Sequence, residues 1–373
     1  MSDTTSLPTL PAFQMLGQSV ELTSIEKELQ ALFMDGSEED DGVTGIARAS
    51  LINLALYNED PEGLERDASV LAELTSESAC RSMLICSDTK TVELSARAWV
   101  QAHCQIDRSG NKTVCTEQLS FYLTGNSRGL VRNIVFANLD SDLPLAFWWR
   151  GEFSEVFEER LYSRIDRLLF DSESWESPRN QLLRLMEARQ QTSASFVMHD
   201  LAFTRLNLIR HAVANAFDRP AVSQQVPSLQ RIILRYAPGF RMSSLYLAAW
   251  IAMRLEATID HSQSTFSKIV LSGRRRGGPH SFVIEIGELD EDRKGTIEAD
   301  FEMDGFRVEI SRCQTRSFFR TLTHRADGSS EEDWLPARQP TDVVLVSDVL
   351  NRAGHNRTHA GVLPMVLDLL TLP

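Results

Sequence analysis

A chain of 373 residues, 42% apolar and 24% charged, is long enough for two domains of ordinary size. Its formal charge of −14 argues against a nucleic-acid partner, which would need a basic face. No stretch approaches the roughly 18 consecutive apolar residues of a membrane span, and Met1 to Met15 lacks a basic and then apolar leader. Five cysteines are too few for a disulfide framework at this length, so a reducing cytoplasm is the expected setting.

Residues 1–42 read as a polar arm, a helix and an acidic linker. Thr23-x-x-Glu26 offers a capping box, and Ile25, Leu29, Leu32 and Phe33 form a helical stripe ending near Met34. Asp35 to Gly42 is acidic and glycine-bearing, as linkers are.

Residues 43–175 read as an α/β layered domain. Strands are expected at Ser50–Tyr57, Ser82–Cys86, Arg97–Ile106, Thr113–Leu123, Leu145–Trp149 and Ile165–Phe170. Helices are expected at Pro61–Leu74, Leu130–Leu139 and Val156–Leu161. In Arg97–Ile106, Ala98, Val100, Ala102, Cys104 and Ile106 face one way, and Trp99, Gln101, His103 and Gln105 the other. Strands and helices mingle, which is the pattern of a layered sheet and not of a bundle.

The Ser/Glu/Pro-rich stretch Asp171 to Asn180 marks the domain boundary, and residues 176–373 read as an α+β domain. Leu182–Arg189 is helical, and a longer helix starts at Asp200, a good N-cap, and runs to Pro220. Arg231–Tyr236 is a strand. Ser243 or Ser244 is expected to cap a helix to Ala257 that is apolar nearly all round, hence buried on several sides. Ile297–Met303 alternates, Asp304-Gly305 signals a tight hairpin, and Phe306, Val308 and Ile310 resume the alternation. That turn sets Glu302 opposite Arg307 and Asp300 opposite Glu309, one favourable and one unfavourable pair. Phe266–Leu271, Ser281–Ile286 and Ser317–His324 extend this into an antiparallel meander. Val343–Val346 and two helices, around Val349 and at Leu363–Leu370, finish the chain. The fold class is therefore mixed α+β, an α/β layer followed by buried helices with a meander.

The chemistry-bearing residues are few. Asp142-Leu-Pro-Leu-Ala-Phe-Trp-Trp-Arg-Gly151 places two tryptophans and an arginine together with no nucleophile, base or metal ligand. On a strand Trp148 and Trp149 point oppositely, so one fills a core while the other is presented elsewhere. His355-x-x-x-His359 lacks a third ligand and reads as a helix end or turn, not a metal site. Cys80, Cys86, Cys104 and Cys115 read as small buried hydrophobes, with a redox pair among them as the other reading. His199, Asp200, Arg205, Arg210 and His211 read as a cap with polar-face residues. Arg274, Arg275 and Arg276 sit in Gly273-Arg-Arg-Arg-Gly-Gly-Pro279, which reads as a loop. Dinucleotide, P-loop, nucleophile-elbow and zincin motifs are all missing, and no cofactor is expected.

The ordered set of segments resembles the glucose-6-phosphate dehydrogenase assembly protein family, OpcA. It comprises Ser24–Phe33, Ser50–Tyr57, Val114-Cys-Thr-Glu-Gln-Leu119, Asp142–Gly151, His199-Asp-Leu-Ala-Phe-Thr-Arg-Leu206 with Arg210 and Phe217-Asp218, and Leu245–Leu255. The chain departs from the family pattern at Phe203, where a tryptophan is usual, and at Ser78-Ala-Cys-Arg81, where the family has His-Pro-Ser-Arg. The resemblance implies a non-catalytic partner that binds glucose-6-phosphate dehydrogenase, favours its active oligomer and so supports the oxidative pentose phosphate pathway. The expected contact residues are Trp148, Trp149 and Arg150, the Arg274–Arg276 loop, and the acidic strand face with Asp300 and Glu309, whose like-charged pair would gain from a partner's cation. A second reading is a sugar-phosphate-binding sensor or enzyme on an α/β scaffold. Its phosphate would lie at Arg274–Arg276 or at the N-terminus of the Ser243/Ser244 helix beside Arg241.

Overall fold

The structure, a computed structural model, describes residues 11–34, 47–48, 50–106, 112–125, 128–153, 159–191, 196–275, 278–290, 297–313, 316–352 and 356–373. The chain divides into two compact units, Met1–Phe170 with Met186–Val197, and Asp171–Leu185 with Met198–Pro373. The expected linker Asp35–Gly42, the start of the Val156 helix, Arg276 and His355 lie outside the described residues.

The first stretch of chain runs α1 (Pro11–Gln14), β1 (Gln18–Val20), α2 (Ile25–Met34), β2 (Ala47–Arg48), β3 (Ile52–Asn58), α3 (Leu64–Glu77), β4 (Cys80–Asp88), β5 (Ser95–Ile106), β6 (Lys112–Thr124), α4 (Arg128–Asn138), β7 (Leu145–Arg150), α5 (Glu159–Tyr162), β8 (Arg167–Phe170), α6 (Pro178–Gln191) and β9 (Val197–Asp200). In the first unit the sheet order is β1-β5-β6-β4-β3-β7-β8, with β2 also on β6. Strands β6, β4, β3, β7 and β8 run parallel, and α3 and α4 are the crossovers that parallel pairing demands. All of β3 is buried, as expected for a central parallel strand covered on both faces. Both faces of β5 are covered at its centre, where Ala98, Trp99 and Val100 are all buried. Helices α2 and α3 both pack on this strand, and Phe13 stacks on Trp99 at 5.1 Å, while Ser95 and Arg97 near its start stay exposed.

The chain continues α7 (Leu201–Thr204), α8 (Asn207–Phe217), α9 (Pro220–Ser223), β10 (Arg231–Tyr236), α10 (Arg241–Arg254), β11 (Ala257–Ile259), β12 (Lys268–Arg275), β13 (Gly278–Glu288), β14 (Ile297–Met303), β15 (Phe306–Arg312), β16 (Phe318–Arg325), β17 (Ser330–Pro336), α11 (Asp342–Leu350) and α12 (Arg357–Leu369). The sheet of this unit has the order β11-β12-β13-β10-β14-β15-β16-β17. It is not the simple meander expected: β10 inserts between β13 and β14, parallel to the first and antiparallel to the second. The hairpin register is as read from the sequence, with Glu302 opposite Arg307 and Asp300 opposite Glu309. The Gly273–Pro279 loop is instead mostly strand, since Arg274 pairs Pro279 and Arg275 pairs Gly278. The single helix expected from Asp200 is two, α7 and α8, broken at Arg205 and Leu206. The centre of the unit is α10, with every residue from Met242 to Ala252 buried, packed on α12, α7 and β10.

Candidate functional site

The tryptophan pair sits on β7, and both indoles are interior: Trp148 is 1% exposed and Trp149 6%. The expectation that one is presented outside is therefore not met. A strand with a filled layer on each face buries both alternating positions. Trp149 packs against Tyr57 and Phe153, and its Nε1 donates to the Glu152 carbonyl at 3.2 Å. The Arg150 guanidinium lies over the Trp148 ring at 4.3 Å and pairs with the fully buried Asp67 at 2.9 Å. Asp67 also accepts from Asn58 at 2.6 Å and pairs with Arg66. Arg150 thus neutralises an interior carboxylate of its own unit.

The acidic strand face is also largely satisfied internally. Asp300 is 3% exposed, and the Arg307 guanidinium donates to both of its oxygens, from Nε at 2.9 and 3.1 Å and from Nη2 at 2.5 Å. Arg307 also reaches Glu309 at 3.1 Å. The repulsion expected between Asp300 and Glu309 is relieved by the neighbouring strand position, so it does not call for a partner's cation. Glu309 stays partly exposed, with the His324 ring 3.6 Å away. Arg274 and Arg275 lie at the end of the β12–β13 hairpin.

Cys104 and Cys115 face each other across β5 and β6 and form a disulfide, which corrects the reading of both as plain buried hydrophobes. Cys80 and Cys86 do behave as interior apolar groups, their thiols pushed up to about 12 by burial. In the first unit Arg81 and Glu117, both from segments singled out in the sequence, form a buried pair at 2.7 Å.

The second unit holds a polar centre that no motif announced. Asp200 is fully buried and accepts from the Ser172 amide at 3.1 Å, the Ala202 amide at 2.9 Å and the Tyr246 hydroxyl at 2.8 Å. Burial, followed by the nearby Asp171 carboxylate, pushes its carboxyl up to about 7. Tyr246 also meets His359 Nε2 at 3.2 Å, so this histidine does stand at a helix end, in the first turn of α12, with its ring buried in the core. Asp171 grips Arg205 through both carboxylate oxygens, at 2.8 and 2.5 Å.

Glu173 corrects the capping expected from Ser243 or Ser244. Its carboxylate accepts from the Met242 amide at 2.9 Å, the Ser243 amide at 3.0 Å and the Ser243 hydroxyl at 3.1 Å. Both serines are buried inside α10. The helix N-terminus proposed to hold a phosphate beside Arg241 is thus already occupied by a carboxylate, whose pKa burial raises. One exposed aromatic was missed: Trp334, 46% exposed on the terminal strand β17, with Phe318 edge-on at 6.4 Å. The signal was present in the alternation of Glu332 and Trp334 with Asp333, which puts the first two on one face.

A layered, mostly parallel sheet in one unit, a mixed sheet around a buried helix in the other, and interiors closed by their own ion pairs together describe a two-part mixed α+β protein. Residues 72–187 match the glucose-6-phosphate dehydrogenase subunit N-terminal domain of OpcA, and residues 197–360 match the C-terminal domain. The chain belongs to the OpcA glucose-6-phosphate dehydrogenase assembly family. It is 25% identical over 205 residues to a Synechocystis sp. protein carrying the name OxPP cycle protein OpcA, a match spanning 54% of this chain and 42% of that relative. Among solved structures it is similar to an oxidoreductase from Sinorhizobium meliloti (TM-score 0.42, 9% identity, 86% of this chain and 87% of that one). It is also similar to a super-repressor mutant of Gal80p from Saccharomyces cerevisiae (TM-score 0.42, 8% identity, 86% and 94%). These two scores are too low to define a common fold. No helix among the described residues is long and apolar enough to cross a membrane.

Proposed function

We propose that this protein is a non-catalytic assembly factor for glucose-6-phosphate dehydrogenase, acting in the cytoplasm to favour the enzyme's active oligomer and thereby entry into the oxidative pentose phosphate pathway. The observation that carries the reading is the match of two consecutive family domains over most of the chain. The mechanism is linkage: a protein that binds the active oligomer better than its subunits shifts the population toward it. A tenfold activation requires only about 1.4 kcal/mol of differential binding.

The contact surface is a further part of the proposal. With both indoles of β7 interior, the weight moves to the exposed β17 strand, where Trp334 stands beside Glu332, and to the hairpin bearing Arg274 and Arg275, which Arg276 follows in the sequence. Tryptophan and arginine dominate interface energetics when buried by a partner. Size-exclusion chromatography with light scattering, on the purified dehydrogenase mixed with this protein, tests the reading. A complex is expected, with Trp334→Ala weakening it at least about tenfold. Independent elution at concentrations well above micromolar would reject binding, and a complex indifferent to Trp334 would reject the surface alone.

A further inference from the structure

The second unit contains a cavity of about 380 Å³ that neither the family match nor the assembly reading uses. Its wall includes His199, Phe203, Thr204, Asn207 and Arg210 from the β9–α7–α8 segment. Arg352, which follows α11, and Asn356 and Arg357, at the start of α12, complete it. The size lies within the range of about 300–1,000 Å³ typical of small-molecule sites. Much of the motif His199–Leu206 with Arg210, singled out in the sequence, is spent on this wall.

The electrostatics of the cavity are inverted relative to the chain. The protein carries a formal charge of −14, yet three arginines line this cavity. Arg210 lies over the Phe203 ring at 4.1 Å and donates to Asn207 Oδ1 at 2.6 Å. Among the described residues no carboxylate pairs with it, and its Nε is buried without an acceptor. Burial, and then the charge of Arg352, bring its guanidinium down to about 10. Arg352 shares Asp348 at 3.2 Å, and Asp348 also accepts from Asn207 Nδ2 at 3.0 Å. The single amide of Asn207 therefore ties Arg210 to the Asp348–Arg352 pair and fixes two guanidinium groups relative to each other. Arg357 makes no ion pair among the described residues. Asn356 caps the 13-residue helix α12 through the His359 amide, so the positive end of that helix borders the same space.

Three arginines against one carboxylate leave about two positive charges, and Arg210 and Arg352 are tied together through Asn207 and Asp348 before any ligand arrives. A half-buried arginine facing another arginine is costly unless an anion lies between them. Guanidinium forks match phosphoryl oxygens in pairs. The volume exceeds what a bare phosphate needs, and the rest of the wall offers His199, Thr204, Asn356 and Thr358 to hydroxyl groups. We infer that this cavity binds a small polyhydroxylated phosphate monoester, with Arg210, Arg352 and Arg357 holding the phosphoryl group and Asn207 acting as a positioning residue.

The test uses the full chain with no dehydrogenase present, so it succeeds or fails independently of the assembly reading. Isothermal titration calorimetry would compare glucose 6-phosphate, inorganic phosphate, glucose and citrate. Glucose 6-phosphate should bind saturably, phosphate more weakly, and glucose and citrate not at all. Arg352→Gln combined with Arg357→Gln should weaken glucose 6-phosphate binding at least about tenfold. Because both side chains are exposed, the unliganded unfolding temperature should not move. Arg320→Gln, an exposed arginine paired with Glu332 on the β16–β17 hairpin, should bind as the parent does. Absence of phosphate-ester binding, equal binding by the double variant, or citrate binding as tightly as the phosphate ester would each overturn the inference.

Discussion

Asp200→Asn isolates the cost of holding a carboxylate inside the second unit. No part of Asp200 reaches solvent, and burial with the adjacent Asp171 charge raises its pKa from 3.8 to about 7. A folded pKa above the unfolded one means that, between those two values, the native state keeps a proton the unfolded state has released. Stability must then fall as pH rises through that window, at about 1.4 kcal/mol per pH unit. The full contribution is about 4 kcal/mol, present below the unfolded pKa and lost by the time pH passes the folded one. About 2 kcal/mol of it disappears between pH 5 and 7. Asparagine keeps an acceptor oxygen for the Ser172 and Ala202 amides and cannot ionise. Urea titrations of both proteins at half-unit pH steps should therefore show the variant gaining on the parent, by about 2 kcal/mol from pH 5 to 7. Taking the difference cancels the titration of every group that is not coupled to Asp200. A gap that stays flat over that range, or opens toward acid, would refute the argument.

Glu173→Ala removes the acceptor of two α10 amides and one serine hydroxyl, and should cost about 2–3 kcal/mol in equilibrium unfolding; Glu173→Gln should cost less. Alkylating the unfolded, unreduced protein and weighing it should label Cys80, Cys86 and Cys313 only, and replacing Cys104 and Cys115 with serine should lower stability by about 3 kcal/mol. Glu117→Gln leaves the buried Arg81 guanidinium with only the Glu26 carboxylate, 3.5 Å away, as an ionic partner and should cost about 1.5–3 kcal/mol. Replacing both partners with apolar residues should recover most of that, as read by the same denaturant titration.

The sequence carried local structure well and distant closure poorly. The register of β14 and β15 follows from Asp304-Gly305 and the alternation on either side, because a two-residue turn leaves no freedom. The all-round apolar character of α10 announced its burial. What it could not announce was the Glu173 carboxylate that caps it, since Glu173 and Met242 are 69 positions apart. The insertion of β10 between β13 and β14 was hidden for the same reason: a strand's own pattern says how it is buried, not which strands it joins. Trp148 and Trp149 were found as a pair, but their alternation was read as one inward and one outward position. A strand covered on both faces turns the same alternation into two inward positions. Asp300 was read as needing an outside cation because only the residue opposite it was weighed, whereas Arg307 reaches it along the diagonal of the same hairpin.

The central claim is promotion of the dehydrogenase, and steady-state kinetics test it most directly. Purified glucose-6-phosphate dehydrogenase, diluted until it loses specific activity through dissociation, would be titrated with this protein. The account predicts a saturable rise in kcat/KM that reaches its plateau at a fixed stoichiometry and shrinks as the enzyme stock is made more concentrated, because the concentrated enzyme is already assembled. Unchanged kcat and KM at every enzyme dilution, with this protein in excess, would contradict it.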